Sequence, residues 1–120
     1  MTLQHIVLFS FPRELSDAEY EDMRSQIAAW PEKIGGFSSL RFGADITGAR
    51  TRGYSRLLYM EFDGTDELQR YRAHPVHQAF NQWIIDHECT PLAFDYFLDE
   101  RTVLMPEAGV AGALREGGKA

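Results

Sequence analysis

Four short segments of the chain have the composition and spacing of β-strands. The first is predicted over residues 3–11. Val7 lies on one face of this strand, whereas Ile6 and Leu8 lie on the other, so both faces carry large apolar groups. The other three strands are predicted at about residues 37–46, 54–63 and 91–98. The third repeats the two-sided pattern, which is typical of strands that are buried on both faces.

The first helical segment lies between the first two strands. Ser16 and Glu19 form a capping-box pair, which predicts that a helix starts there. Apolar residues then recur every three or four positions, as on one stripe of a helix. Pro31 is expected to kink or end the regular helix near Trp30. The glycine pair 35–36 is expected to terminate the segment.

The second helical segment lies between the third and fourth strands. Thr65 is predicted to be its N-cap, with acidic residues following in the first turn. The helical spacing is interrupted at Pro75. Since the residue before a proline disfavours the helical conformation, we predict a break near His74 and a second helix that begins with Pro75.

The order of these elements is β-α-β-β-α-β, which is the ferredoxin-like arrangement of an α+β fold. It predicts a four-stranded antiparallel sheet with the helices on one face. We expect a single domain over residues 1–99, because 120 residues suit one hydrophobic core. Residues 100–120 lack a core stripe and are expected to be a flexible tail or a segment that packs on a partner.

The apolar residues on the second face of the sheet predict a partner. In a monomer this face would be exposed, and an apolar patch of that size is rarely tolerated in water. A second copy of the chain, packed sheet to sheet about a two-fold axis, would cover it. The periodicity therefore predicts a homodimer that forms a dimeric α/β barrel.

Charge and cysteine content exclude several classes of function. The net charge of −6 argues against nucleic acid and against anionic membranes as partners, because both are bound through clustered Lys and Arg. The sequence contains no apolar run long enough to span a membrane and no secretory signal pattern at its start. Cys89 is the single cysteine, so an intrachain disulfide is impossible. We expect a cytoplasmic protein.

Candidate chemistry is concentrated in three histidines and one tyrosine: His5, Tyr71, His74 and His77. Histidine can act as a base near neutral pH, and a tyrosine hydroxyl can polarise a carbonyl oxygen. Tyr71 and His77 are therefore candidate catalytic residues, and His5 and His74 are candidate ligand-binding residues. The alternative is structural, with His74 and His77 capping helix ends and the Tyr71 ring packing in the core.

His74 and His77, with His87 or Glu88, could supply nitrogen and oxygen ligands to a metal. Pro75 interrupts the helix between the two histidines, and no cysteine or carboxylate stands at a diagnostic spacing. We therefore predict neither a metal nor a cofactor.

One ordered set of motifs resembles a known family. These motifs are the strand His5-Ile6-Val7-Leu8-Phe9, the segment Tyr71-Arg72-Ala73-His74-Pro75-Val76-His77 followed by Phe80, and the terminal Phe94-Asp95-Tyr96. Together they resemble the stress-responsive A/B-barrel (Dabb) family over residues 3–98. The resemblance implies a homodimer with a barrel between two sheets.

The family contains plant stress-induced proteins and a plant polyketide cyclase that closes an aromatic ring by aldol condensation. In that cyclase branch the tyrosine and the last histidine of the motif carry chemistry, and they match Tyr71 and His77. The strand histidine that matches His5 lines the pocket. The C-terminal tail after Asp99 departs from the short ending of the cyclase branch.

The main hypothesis is a homodimer that binds a small, partly apolar molecule in the barrel. One alternative is a cofactor-free polyketide-cyclase-like or lyase enzyme that uses Tyr71 and His77. A second is a non-catalytic structural protein of the stress response. A cofactor-free monooxygenase of the wider dimeric α+β barrel group also stays open, because fold does not fix function.

Overall fold

The computed structural model describes residues 1–105. Along the chain, these residues form strand β1 (Thr2–Ser10), helices α1 (Asp17–Ala28) and α2 (Trp30–Lys33), strands β2 (Ser39–Ala44) and β3 (Tyr54–Phe62), helices α3 (Thr65–Ala73) and α4 (Pro75–Asp86), and strand β4 (Thr90–Leu98). The strands form one sheet in the order β2-β3-β1-β4, and every neighbouring pair is antiparallel. The predicted ferredoxin-like α+β fold is confirmed.

The helix ends follow the predicted local chemistry closely. The Ser16 hydroxyl accepts a hydrogen bond from the Glu19 backbone N–H at 3.1 Å, and the Glu19 carboxylate accepts one from the Ser16 N–H at 2.9 Å. The regular helix ends at Ala28, and a short second helix carries Pro31 in its first turn. Gly35 then adopts a φ of +66°, a left-handed conformation that favours glycine.

The second helical segment breaks where the sequence predicts. His74 has φ −65° and ψ 136°, which is extended backbone, and Pro75 opens α4. The N-cap of α3 is different from the prediction. Gly64 occupies the cap position and Thr65 is already helical, with no side-chain cap hydrogen bond. A short polar run offers several adjacent start positions, so the sequence located this end only to within one residue.

The hydrophobic core lies between the helices and one face of the sheet, which we call the helix face. Trp30, Met60 and Phe62 are fully buried there. Aromatic rings pack edge to face across this layer, including those of Trp30 and Phe80, whose centroids lie 5.1 Å apart. No helix in residues 1–105 is long and apolar enough to cross a membrane.

The opposite face of the sheet, which we call the open face, has no helix over it in the described residues. Its apolar positions are Ile6, Leu8, Leu57, Tyr59, Leu92, Phe94, Tyr96 and Leu98. Phe94 is 64% exposed and Leu92 is 50% exposed. The two-sided apolar pattern in the sequence therefore corresponds to one buried face and one uncovered face.

The predicted C-terminal tail is described only at its start. After β4, the Asp99 carboxylate accepts a hydrogen bond from the Thr102 backbone N–H at 3.0 Å. The Thr102 hydroxyl donates to the Phe97 carbonyl at 2.9 Å, which closes a turn. Residues 106–120 lie outside the described residues, and so does the prediction made for them.

Candidate functional site

A cavity of about 310 Å³ lies between the helix face of the sheet and the paired helices α3 and α4. Its apolar lining comes from Val7, Phe9, Leu58, Phe80, Ile84, Pro91 and Ala93. Its polar lining comes from His5, Tyr71, Arg72, His77, Gln78 and Asn81. The structure thus brings three of the four predicted site residues, His5, Tyr71 and His77, to one cavity.

The break between α3 and α4 creates this arrangement. Tyr71 stands in the last turn of α3 and His77 in the first turn of α4. Because the chain turns at His74, the two rings meet with their centroids 4.2 Å apart. The His5 ring, on the central strand β1, lies 6.1 Å from the Tyr71 ring.

The Tyr71 side chain is buried beside the cavity and carries a protonated hydroxyl. The residue is only 2% exposed, and burial raises the pKa of its hydroxyl, an effect that the charge of Arg72 partly opposes. Within residues 1–105 no hydrogen bond engages this hydroxyl, and its oxygen is not fully buried. The hydroxyl therefore keeps some access to the cavity, and it stays protonated at neutral pH.

His77 lines the cavity as a half-buried imidazole. Burial lowers the pKa of its imidazole, and the nearby charges of His5 and Arg72 act in the same direction, against a hydrogen bond with the Arg72 carbonyl. Nδ1 lies 3.3 Å from the carbonyl oxygen, to which it donates in the tautomer protonated at Nδ1, and 3.5 Å from the side-chain nitrogen of Asn81, from which it accepts in the other tautomer. The ring is neutral near pH 7, and in the tautomer protonated at Nδ1 the lone pair of Nε2 is available to accept a proton.

His5 is held by a partner that sequence reasoning did not select. Its Nδ1 lies 2.5 Å from an oxygen of Asp95, which is its direct neighbour across the β1–β4 pair. The second oxygen of Asp95 lies 3.6 Å from the guanidinium of Arg72. His5 is 4% exposed, so this carboxylate supplies the hydrogen bond that a buried imidazole needs.

Asp95 and Arg72 had a weak signal in the sequence. The alternation of β4 puts Leu92, Phe94 and Tyr96 on the open face, which leaves Asp95 on the helix face with His5. Arg72 directly follows Tyr71 in the motif. Neither position could be tied to the site without the pairing of β1 with β4, because His5 and Asp95 are 90 residues apart.

His74 lies apart from the cavity lining. Its Nδ1 accepts a hydrogen bond from the Val76 backbone N–H at 3.1 Å, so its side chain caps α4. His87 is also remote, because it stacks on Trp83 with a ring separation of 3.8 Å and faces Glu19. Within residues 1–105, no group of three or more His, Cys, Asp or Glu side chains could hold a metal ion.

The cavity is on the helix side of the sheet, and the open face is on the other side of the same sheet. The sequence prediction placed a ligand within the barrel between two sheets, next to the Tyr/His cluster. The structure separates these two features, because His5 lies on the helix face of the sheet and Tyr71 and His77 belong to α3 and α4.

The model of the stress-responsive A/B-barrel domain matches residues 3–98. The chain belongs to this family. The resemblance read from the sequence motifs is therefore confirmed, and the match includes every residue of the cavity lining.

The curated relative olivetolic acid cyclase from Cannabis sativa is 24% identical over 97 residues, which covers 80% of this chain and 96% of the cyclase. A dimeric ferredoxin-like protein of unknown function from Bacteroides fragilis is 26% identical, with a TM-score of 0.67 over 79% of this chain and 94% of that one.

The hydroxynitrile lyase from Passiflora edulis has a TM-score of 0.73 over 88% of this chain and 97% of that one. Its identity is 16%, so the likeness concerns the fold alone. A shared fold does not determine a shared reaction.

Proposed function

We propose that this protein is a homodimer in which each subunit binds a small, partly apolar carbonyl compound in the cavity on the helix side of its sheet. The observation that carries this proposal is the cavity itself, which joins an apolar floor to His5, Tyr71 and His77. Binding sites for small molecules combine a mostly apolar lining with a few convergent polar groups in this way.

The open face supports the homodimer. An exposed apolar surface centred on Leu92 and Phe94 is costly in water, and a second copy packed on it would remove that cost. The Bacteroides fragilis relative with the same fold is dimeric. Native mass spectrometry is expected to give the mass of two chains, and a monomer at micromolar concentration would contradict the homodimer.

Binding is tested with a variant that fills the cavity. Ala93 lines the cavity from the edge strand β4, so Ala93→Phe should occupy the space without loss of a core side chain. We expect small aromatic ketones to shift the imidazole NMR signals of His5 and His77 in the original chain. These shifts should disappear in Ala93→Phe and persist in the control Ala79→Phe, which lies outside the cavity. Equal shifts in both variants would refute the cavity as the binding site.

A second candidate function, cofactor-free acid–base catalysis, is favoured by the contact between Tyr71 and His77. His77 Nε2 would remove a proton from the carbon next to a carbonyl. The Tyr71 hydroxyl would donate a hydrogen bond to the carbonyl oxygen as negative charge develops there. The relative named olivetolic acid cyclase supports this reading. If the protein shows no acid–base catalysis, the non-catalytic structural role is the alternative.

Deuterium exchange tests this chemistry without knowledge of the natural substrate. Benzyl methyl ketone is incubated with the protein in D₂O, and loss of the signal from the protons next to the carbonyl is followed by NMR. We expect His77→Gln to slow protein-dependent exchange by about 100-fold, the usual contribution of a positioned base. Tyr71→Phe should also slow it, whereas His87→Asn, outside the cavity, should leave it unchanged. Exchange that persists in His77→Gln would exclude the base role.

A further inference from the structure

Arg72 is a cavity-lining cation with unused hydrogen-bonding capacity. Its side chain is 49% exposed at the mouth of the cavity, beside Tyr71 and His77. The one ion pair that it makes within the described residues is with Asp95, at 3.6 Å, which is beyond hydrogen-bond distance. A guanidinium carries five N–H donors in a planar fork, and here this fork is not matched by a bidentate acceptor.

The backbone of Arg72 is fixed at this position. Its carbonyl accepts a hydrogen bond from the Gln78 side-chain amide at 2.7 Å and from His77 Nδ1 at 3.3 Å. Both bonds span the break between α3 and α4. The guanidinium therefore extends from an anchored point on the rim of the cavity.

Asp95 only partly neutralises this cation. One of its oxygens is engaged by His5 at 2.5 Å, which leaves the other oxygen to face Arg72 from a longer distance. An ordinary surface ion pair contributes little to stability, and this one lacks even the direct hydrogen bond. An anion that arrives from the cavity could thus satisfy donors that Asp95 does not reach.

We propose that Arg72 is a specificity-determining residue that makes the cavity prefer a ligand with a carboxylate attached to an apolar body. The inference rests on the proposed small-molecule function of the same cavity. The apolar lining, which includes Phe80 and Ile84, would hold the body of the ligand. The guanidinium fork would bind the carboxylate through two parallel hydrogen bonds.

Asp95 should affect the affinity for an anionic ligand in the opposite direction to Arg72. Its carboxylate attracts Arg72 and repels an incoming anion. Removal of that charge in Asp95→Asn should strengthen the binding of an anionic ligand, while removal of the cation in Arg72→Met should weaken it. A merely structural ion pair would predict losses in both variants.

The probes are hydrocinnamate and its neutral amide, which have the same apolar body and differ in charge. Their dissociation constants are measured by calorimetry on the full chain at pH 7.5. We expect the original protein to bind the acid about tenfold tighter than the amide, a ratio typical of a charge-assisted hydrogen bond. Arg72→Met should abolish the preference for the acid, Arg72→Lys should keep part of it, and Asp95→Asn should enlarge it. Arg70→Met, on the same helix but outside the cavity, is the matched control.

The possible failures are distinguishable. Equal affinity of the original protein for acid and amide, or a preference that survives in Arg72→Met, overturns the role of Arg72 and leaves the binding function of the cavity intact. Absence of binding for both probes overturns the inference together with the proposed function. A third outcome assigns a structural role to the ion pair and overturns the proposal. In it, Arg72→Met loses amide binding, Arg72→Lys loses the preference for the acid, and Asp95→Asn weakens that preference.

Discussion

The two faces of the sheet carry similar apolar side chains in opposite surroundings. Leu58, on the helix face, is 1% exposed, whereas its neighbour Leu57 on the same strand is 39% exposed on the open face. The helices supply enough apolar surface to cover one face of a four-stranded sheet and leave the other uncovered. The same residue type therefore contributes to the core on one side and, on the other, to an uncovered surface that we propose is the dimer interface.

Polar groups differ between the faces in the same way. On the open face, Gln4 donates to the Glu61 carboxylate at 2.8 Å and accepts from the Tyr59 hydroxyl, so these groups satisfy one another. On the helix face, Tyr71 and His77 line a cavity, and no hydrogen bond engages the Tyr71 hydroxyl in residues 1–105. The contrast fits the proposed roles, association for the open face and ligand binding for the cavity on the helix face.

The largest expected effect comes from Leu58→Ala, which should lower the free energy of unfolding by about 2–5 kcal/mol because it leaves a void in the core. The matched substitution Leu57→Ala should lower the free energy of unfolding of the isolated subunit by less. If the open face is a dimer interface, this loss of stability should depend on protein concentration. Chemical denaturation at two concentrations checks both. Equal, concentration-independent losses would remove the distinction between the faces.

Phe94→Asp should dissociate the dimer. An apolar side chain of this size contributes roughly 1.5–3 kcal/mol when fully buried, and a two-fold interface contains it twice. Ile85→Asp is a matched control, because Ile85 is also 64% exposed but lies on α4. Sedimentation velocity should detect monomers for Phe94→Asp and dimers for Ile85→Asp. Dimers in both cases would place the interface elsewhere.

Glu61→Gln should lower the free energy of unfolding by about 1 kcal/mol. One of the donors that face the carboxylate would lose its acceptor, and the loss stays small because solvent reaches the group. Burial raises the pKa of Glu61, but hydrogen bonds from Gln4 and Ser38 outweigh it, and the net pKa is lowered. The carboxylate therefore stabilises the fold above about pH 4.5, and this contribution is lost as the pH falls through the folded pKa. Urea denaturation between pH 3 and 7 should show a shallower acid dependence in Glu61→Gln, and parallel profiles would contradict the assignment.

The smallest expected change is in the pH dependence of stability that His77 causes. Because burial lowers the pKa of this imidazole, the unfolded chain binds its proton more tightly than the folded one. The free energy of unfolding should thus fall as the pH drops through about 6.5 and level off below the folded pKa. His77→Gln should remove this part of the slope. An NMR titration that places the pKa of His77 above 6.5 would reverse the sign and contradict its role as a neutral base.

Much of the local structure could be predicted from the sequence because its causes are local. The capping box at Ser16 and the break at Pro75 depend on residues within one or two turns, and both occur where predicted. The start of α3 was misplaced by one residue because Gly64 and Thr65 both permit a helix start. The candidate residues Tyr71 and His77 were found through a motif whose spacing is also local.

The sequence by itself determined the order of elements, the two-sided apolar pattern of the strands and membership in a family. Only the tertiary structure decided which face carries the cavity. It did so because the pairing of β1 with β4 joins His5 to Asp95 across 90 residues, and because the turn at His74 brings α4 back over Tyr71. Such contacts depend on strand register and helix packing, which no local period encodes.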